Sequence, residues 1–103
     1  MEKSQAEHTR SAKILLKMKD KVKEQLPKWF EGTVYELGDE VRNPFSGETV
    51  LLDAAELSMY DVIKGAEMAI MMGIPADEAY DVINQGKDWF LARNPQAYMT
   101  LLD

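Results

Sequence analysis

The sequence predicts a small α+β domain that is mainly α-helical. Apolar residues recur at three- and four-residue spacing in three long stretches, which is typical of amphipathic helices. Between the first two stretches, short β-prone runs flank a Pro and a Gly, which is typical of a β-hairpin. At 103 residues the chain suits one domain. We expect a long N-terminal helix within 1–30, a hairpin within 33–52, and two amphipathic helices with a short C-terminal helix within 54–102.

The first helix is predicted from about Ser4 to Leu26. Its apolar residues have helical spacing, with lysines between them: Leu15, Met18, Val22 and Leu26. Pro27 disfavours a helical conformation in the residue before it, so the helix should end there.

The hairpin is predicted from its turn chemistry. Strands are expected near 33–36 or 39–43 and near 48–52, joined by 43–47. Pro44 presets the backbone torsion that a common turn requires at its second position, and Gly47 can adopt the left-handed conformation that closes a short loop. A two-stranded ribbon is marginal alone, so we expect it to pack against the helices.

The second helix is predicted from about Ala54 to Met72. Asp53 and Glu56 form a capping-box pattern at its start, and Gly73 ends it. Four apolar residues lie outside its main face, which is typical of a central helix with more than one neighbour: Leu57, Tyr60, Met71 and Met72. Either the N-terminal helix or a second copy of the chain covers them, and the pattern leaves both open.

The third helix is predicted from near Pro75 to about Arg93. Gly86 lies in its apolar face, and close approach of a neighbouring backbone would explain a glycine there. Asn94 and Pro95 are typical of an N-cap and a first helical residue, and they predict a short final helix that ends in Leu101 and Leu102.

Residue types argue against an enzyme. The chain has no cysteine, which excludes disulfides, thiolate metal sites and cysteine nucleophiles. Its one histidine, His8, is poorly placed for a general base and has no second histidine for zinc. Ser46 has no adjacent base. We therefore expect no catalytic residue, no metal ligand and no cofactor.

Charge is unevenly distributed along the chain. The net charge is −6, but residues 1–30 hold eight Lys/Arg against four acids, while residues 31–103 hold four against fourteen. Such asymmetry predicts docking of the N-terminal segment on its own acidic body, pairing between two chains, or a basic partner. Nucleic-acid binding is disfavoured by the net charge and by acids among the lysines.

A cytoplasmic protein without membrane contact is expected. The longest apolar run, 68–74, is too short to span a bilayer, and the N-terminus lacks the pattern of a secretory signal.

Candidate partner-binding residues fall into three groups. Phe45 lies at the predicted tip of the hairpin, and Leu57, Tyr60, Met71 and Met72 lie off the main face of the second helix. The third group is an acidic stripe on one face of the third helix: Asp77, Asp81 and Asp88. Carboxylates on consecutive turns can bind a basic surface or a hard cation such as Mg²⁺. The alternative for each group is an ordinary turn, core filler or solvated face.

Three segments resemble known proteins: Asn-Pro-Phe-Ser-Gly-Glu at 43–48, Leu-Asp-Ala-Ala-Glu-Leu-Ser-Met-Tyr-Asp at 52–61, and Trp-Phe-x-x-x-Asn-Pro-x-Ala-Tyr at 89–98. Together they are similar to small uncharacterised proteins of marine bacteriophages, including cyanophages. The resemblance covers about residues 33–103 and implies a viral or environmental marine origin and action in the host cytoplasm. It implies no catalytic residue.

Three functional hypotheses follow. The first is a non-enzymatic interaction protein, a homodimer, because the second helix is apolar on several sides and the two ends of the chain carry opposite charge. The second is an acidic inhibitor or regulator that binds a basic surface of a host protein through Asp77, Asp81 and Asp88. The third is a metal-assisted hydrolase that uses the same carboxylates.

Overall fold

The computed structural model describes the backbone of residues 2–103 and the side chains of residues 12–103. This part of the chain forms four helices and one antiparallel hairpin, in the order α1 (Glu2–Gln25), β1 (Asp39–Arg42), β2 (Thr49–Leu52), α2 (Ala54–Met71), α3 (Asp77–Arg93) and α4 (Pro95–Leu101). The predicted mainly helical α+β class is confirmed. The side chain of His8, predicted to be poorly placed for a general base, lies outside the described side chains.

The end of α1 agrees with the prediction from Pro27. The helix stops at Gln25, and Leu26 is buried with Val22 in the core. Trp29 and Phe30 belong to the following loop rather than to the helix, and both pack against the core. The helix is thus anchored at its C-terminal end and by the loop that follows.

The hairpin uses the later of the two predicted first strands. β1 pairs with β2 from Asp39 opposite Leu52 to Arg42 opposite Thr49. The segment 33–36 forms no strand because it crosses α2 instead: the backbone N–H of Tyr35 donates to the Ser58 hydroxyl at 3.0 Å.

The turn between the strands has the predicted left-handed glycine, with φ of 78° at Gly47. Backbone bonds close the turn, from Asn43 N–H to the Glu48 carbonyl at 2.8 Å and from Gly47 N–H to the Asn43 carbonyl at 2.9 Å. The connection spans 43–48, one residue more than predicted.

Both ends of α2 are capped as the sequence predicts. The Asp53 carboxylate accepts from the Glu56 N–H at 2.8 Å, and the Glu56 carboxylate accepts from the Asp53 N–H at 3.0 Å. At the other end Gly73 has φ of 75°, and the N–H groups of Gly73 and Ile74 donate to carbonyls of the last turn at 3.0 Å. These bonds satisfy backbone groups that the helix leaves without partners.

The last two helices meet at Asn94. α3 starts at Asp77, two residues after Pro75, and ends at Arg93. The Asn94 side chain then accepts from the Ala97 N–H at 3.1 Å and caps α4, which has Pro95 in its first turn. The chain reverses here with no intervening loop.

The core lies where α2, α3, α4 and the hairpin meet the end of α1. The most deeply buried large side chains are Phe90, Leu52, Met59 and Ile63. Gly86 of α3 lies against this cluster, where an added Cβ would be 2.8 Å from Cγ1 of Ile63 and 3.3 Å from Sδ of Met59. The predicted approach of a neighbouring backbone at Gly86 is wrong, because the closest neighbours are two α2 side chains.

We expect Gly86→Ala to destabilise the protein by up to about 2 kcal/mol. Overpacking against the β-branched Ile63 costs about 1–3 kcal/mol, and the better helix propensity of Ala recovers only about 1 kcal/mol. Urea unfolding followed by circular dichroism measures the change.

Gly65→Ala is the matched control. Gly65 lies within α2 on an exposed position, and an added Cβ would meet no atom within 4 Å. This variant should gain about 0.5–1 kcal/mol from helix propensity alone. Equal effects of the two substitutions would contradict the proposed packing at Gly86.

Candidate interaction surface

The amphipathic face of α1 leaves the body of the protein before it ends. Val22 is 7% exposed and Met18 is half-buried, but one turn further towards the N-terminus Leu15 is 47% exposed and Ile14 58%. We call Ile14 and Leu15 the α1 stripe. The C-terminal part of this helix face is therefore covered by the body of the same chain, whereas the part at the α1 stripe is open to solvent.

The lysines of α1 divide in the same way. Lys19 is tied to the body, with its Nζ 3.3 Å from a carboxylate oxygen of Glu36. A backbone hydrogen bond at Glu36, and then the Lys19 side chain, hold the pKa of this exposed carboxyl below its ordinary value. Lys13 and Lys17 lie on the flank of α1 next to Ile14, are exposed, and form no ion pair within residues 12–103.

A groove of about 380 Å³ lies between the loop after α1 and the helices α2 and α3. Half-buried Trp29, Val62 and Val82 line it with apolar surface. Exposed acids and an amide complete the lining, and we call the whole the acidic groove: Glu31, Glu78, Asp81 and Gln85. Apolar surface inside a rim of one charge sign is typical of a binding surface.

The predicted acidic stripe is only partly related to this groove. Asp81 lines the groove, while Asp77 and Asp88 are exposed elsewhere on α3. Among the described side chains, no three of the types His, Cys, Asp or Glu converge into a group that could hold a metal ion. The three carboxylates thus lie on one helix but do not form a metal-binding group.

The four residues off the main face of α2 do not form one surface. Leu57 and Tyr60 are half-buried and pack against the core of the same chain. Burial, and then the nearby Glu67 carboxylate, raise the pKa of Tyr60. Met71 and Met72, at the end of the helix, are 82% and 69% exposed. The structure therefore leaves only the two methionines available to a partner.

Phe45 is 97% exposed at the tip of the hairpin. Its position is fixed, because the Asn43 side-chain oxygen accepts from the N–H groups of Phe45 at 2.8 Å and of Ser46 at 3.3 Å. The Asn43 amide group in turn donates to the Thr100 carbonyl of α4 at 2.8 Å. The turn thus joins the hairpin to α4, and Phe45 remains its one candidate for recognition.

The most connected polar side chain, Arg93, is not among the predicted site residues. One guanidinium nitrogen lies 2.9 Å from the Asp53 carboxylate, and another lies 3.6 Å from the Glu56 carboxylate. The guanidinium also lies 5.2 Å from the centre of the Trp89 ring. Glu56 is 6% exposed and accepts a further hydrogen bond, at 3.2 Å, from the Asn94 amide.

This cluster resembles an active site in its residue types, but its members are occupied by structural contacts. Asp53 and Glu56 cap α2, and Asn94 caps α4. Arg93 also donates to the Gln25 side chain at the end of α1. A sequence signal for Arg93 exists, since it is the basic residue in the last turn of α3, where a cation is favourable. That signal does not identify its partners.

No family model, no curated protein and no solved structure matches this chain. The segments that resemble marine phage proteins form the turn 43–48, the start of α2 and the junction of α3 with α4. An origin in such a genome stays a prediction.

None of the described helices has both the length and the apolar character that crossing a membrane requires.

We expect Arg93→Met to lower the free energy of unfolding by about 1–3 kcal/mol, because it removes charge-assisted hydrogen bonds and leaves the buried Glu56 carboxylate without its cation. Urea titration followed by circular dichroism measures the loss.

Lys64→Met serves as the control. Lys64 forms a partly exposed pair with half-buried Glu67 at 3.7 Å within α2, and pairs near the surface contribute about 0–1 kcal/mol. If both variants lost the same stability, Arg93 would be an ordinary surface charge.

Proposed function

We propose that the protein is a non-enzymatic interaction protein that acts as a homodimer. The observation that carries the proposal is the α1 stripe, where the apolar face of a core helix continues beyond the body and stays exposed. Ile14 and Leu15 are large aliphatic residues, and full burial of such a side chain contributes about 1.5–3 kcal/mol. A second chain that covers both stripes supplies this energy.

Charge supports self-association over binding to an uncharged partner. Residues 1–30 carry a net charge of +4, from eight basic and four acidic residues, and residues 31–103 carry −10, from four basic and fourteen acidic residues. Opposite charges on separate parts of one chain favour encounter between two copies in which unlike parts meet.

The cytoplasm is the proposed place of action, that of an infected bacterium if the chain comes from a phage. The support is the sequence resemblance at 43–48, 52–61 and 89–98.

The second candidate function is regulation of a host protein with a basic surface. The acidic groove favours it, because the half-buried surface of Trp29 and Val82 is bordered by Glu31, Glu78 and Asp81. Capture of such a partner would be sensitive to salt. If the acidic stripe of α3 is the binding surface, replacing Asp77, Asp81 and Asp88 together by Asn would abolish capture of the partner. If the acidic groove is the binding surface, Asp81→Asn alone would weaken capture.

Sedimentation velocity over a range of protein concentrations tests the homodimer. We expect a dimer at high micromolar concentration, and Ile14→Ser with Leu15→Ser should raise its dissociation constant at least about tenfold, since both residues are exposed in the monomer and buried in the dimer. The thermal unfolding midpoint of the monomer should stay unchanged.

Leu16→Ser is the matched control, because Leu16 is 62% exposed and lies about 100° around the helix axis from Leu15 and about 160° from Ile14. It should weaken the dimer less than the change at the stripe does. A wild-type chain that stays monomeric at high micromolar concentration would rule out the proposed function.

A further inference from the structure

We infer that the α1 stripe of one copy docks in the acidic groove of the second copy, and that the reciprocal contact forms at the same time. The inference rests on the self-association proposed above and names the two surfaces that meet. The dimer would then contain two identical contacts around one two-fold axis.

The first argument is the match of apolar surface. The stripe presents two aliphatic side chains on one helix face, and the groove presents the half-buried surface of Trp29, Val62 and Val82. An amphipathic helix in an apolar groove is a recurrent mode of recognition. Within one chain the stripe is exposed and the groove open, so the two surfaces do not meet in cis.

The second argument is the match of charge. Lys13 and Lys17 lie on the flank of α1 next to Ile14 and have no ion pairs among residues 12–103, while Glu31, Glu78 and Asp81 border the groove. Lysine side chains are long enough to lay their methylene groups on apolar surface while the ammonium group reaches an acid at the rim. Docking therefore places cations beside anions.

The third argument disfavours the simpler dimer, in which the two α1 stripes pair with each other. Each N-terminal segment carries a net charge of +4, from eight basic and four acidic residues, so that arrangement brings two net positive segments together. Like charges across an interface disfavour it. Stripe-to-groove docking pairs the positive segment with the negative body and leaves neither copy with an uncovered stripe.

Charge reversal of each surface, measured by sedimentation velocity on the full chain at low salt, tests the inference. In the groove variant, Glu78 and Asp81 become Lys. In the stripe variant, Lys13 and Lys17 become Glu. Each change sets like charges against each other, so we expect each variant alone to dimerise at least about tenfold more weakly than the wild type.

Mixing the two variants makes the test decisive. In the heterodimer, the α1 stripe of the stripe variant, now flanked by glutamates, meets the basic groove of the groove variant. The unchanged α1 stripe of the groove variant, flanked by lysines, meets the unchanged acidic groove of the stripe variant. Both contacts are therefore complementary in charge. We expect the mixture to recover a dimer, with an affinity that falls as salt is raised.

The control variant changes Asp77 and Asp88 to Lys. It makes the same charge change on the same helix, at exposed positions that do not line the groove. It should dimerise more tightly than the groove variant. Circular dichroism establishes that each variant is folded before its affinity is compared.

The outcomes separate the inference from the proposed function. A wild-type dimer whose affinity neither reversal weakens, or a mixture that does not recover it, would overturn the stripe-to-groove contact and leave the homodimer standing. If the stripe variant dimerised more tightly than the wild type, the two stripes would pair with each other. A monomeric wild-type chain would overturn both.

Discussion

The carboxylate of Glu56 fixes the relative positions of three helices. One of its oxygens accepts from the Asp53 N–H at the start of α2. The other oxygen accepts from the amide of Asn94, the residue that caps α4, and lies 3.6 Å from Nε of Arg93 at the end of α3. Because this carboxylate is buried, its partners must be in place for the charge to be tolerated. The cap of α2 and the α3–α4 junction therefore stabilise each other through Glu56.

The proposed interaction depends on this frame. Val62 of α2 and Val82 of α3 contribute to the acidic groove only because the two helices are packed closely, with Gly86 allowing Ile63 to approach α3. Trp29 completes the groove because the loop after α1 is held against the core. The α1 stripe lies outside this frame. One part of the chain thus offers a preformed surface, while another offers an apolar face with no cover of its own.

Local signals in the sequence predict the elements and their ends. Asp53 and Glu56, Gly73, and Asn94 with Pro95 each act through nearby backbone groups, so spacing alone identifies the caps of α2 and α4. The first strand is harder, since 33–36 has the higher β propensity and yet the strand forms at 39–42. The distant Ser58 hydroxyl decides between them by binding the backbone at Tyr35.

The candidate surfaces depend more on tertiary structure and are predicted less well. Helical periodicity identifies Asp81 as exposed on α3, but Trp29 reaches the same groove from a loop fifty residues away in sequence. Likewise, nothing local indicates that Leu57 and Tyr60 are covered in cis while Met71 and Met72 are not. Periodicity defines the faces of a helix, and it does not tell which neighbour each face meets.

The bond from Asn43 to the Thr100 carbonyl has a consequence for how the molecule opens. It joins the hairpin turn to the last helix across 57 positions of sequence, and α4 also contacts β2. A two-stranded ribbon has little stability of its own, so the hairpin depends on its packing against α4 and α2. Detachment of the end of the chain in a thermal fluctuation therefore removes part of the support of the hairpin, together with the anchor of the Asn43 side chain that holds Phe45 in place.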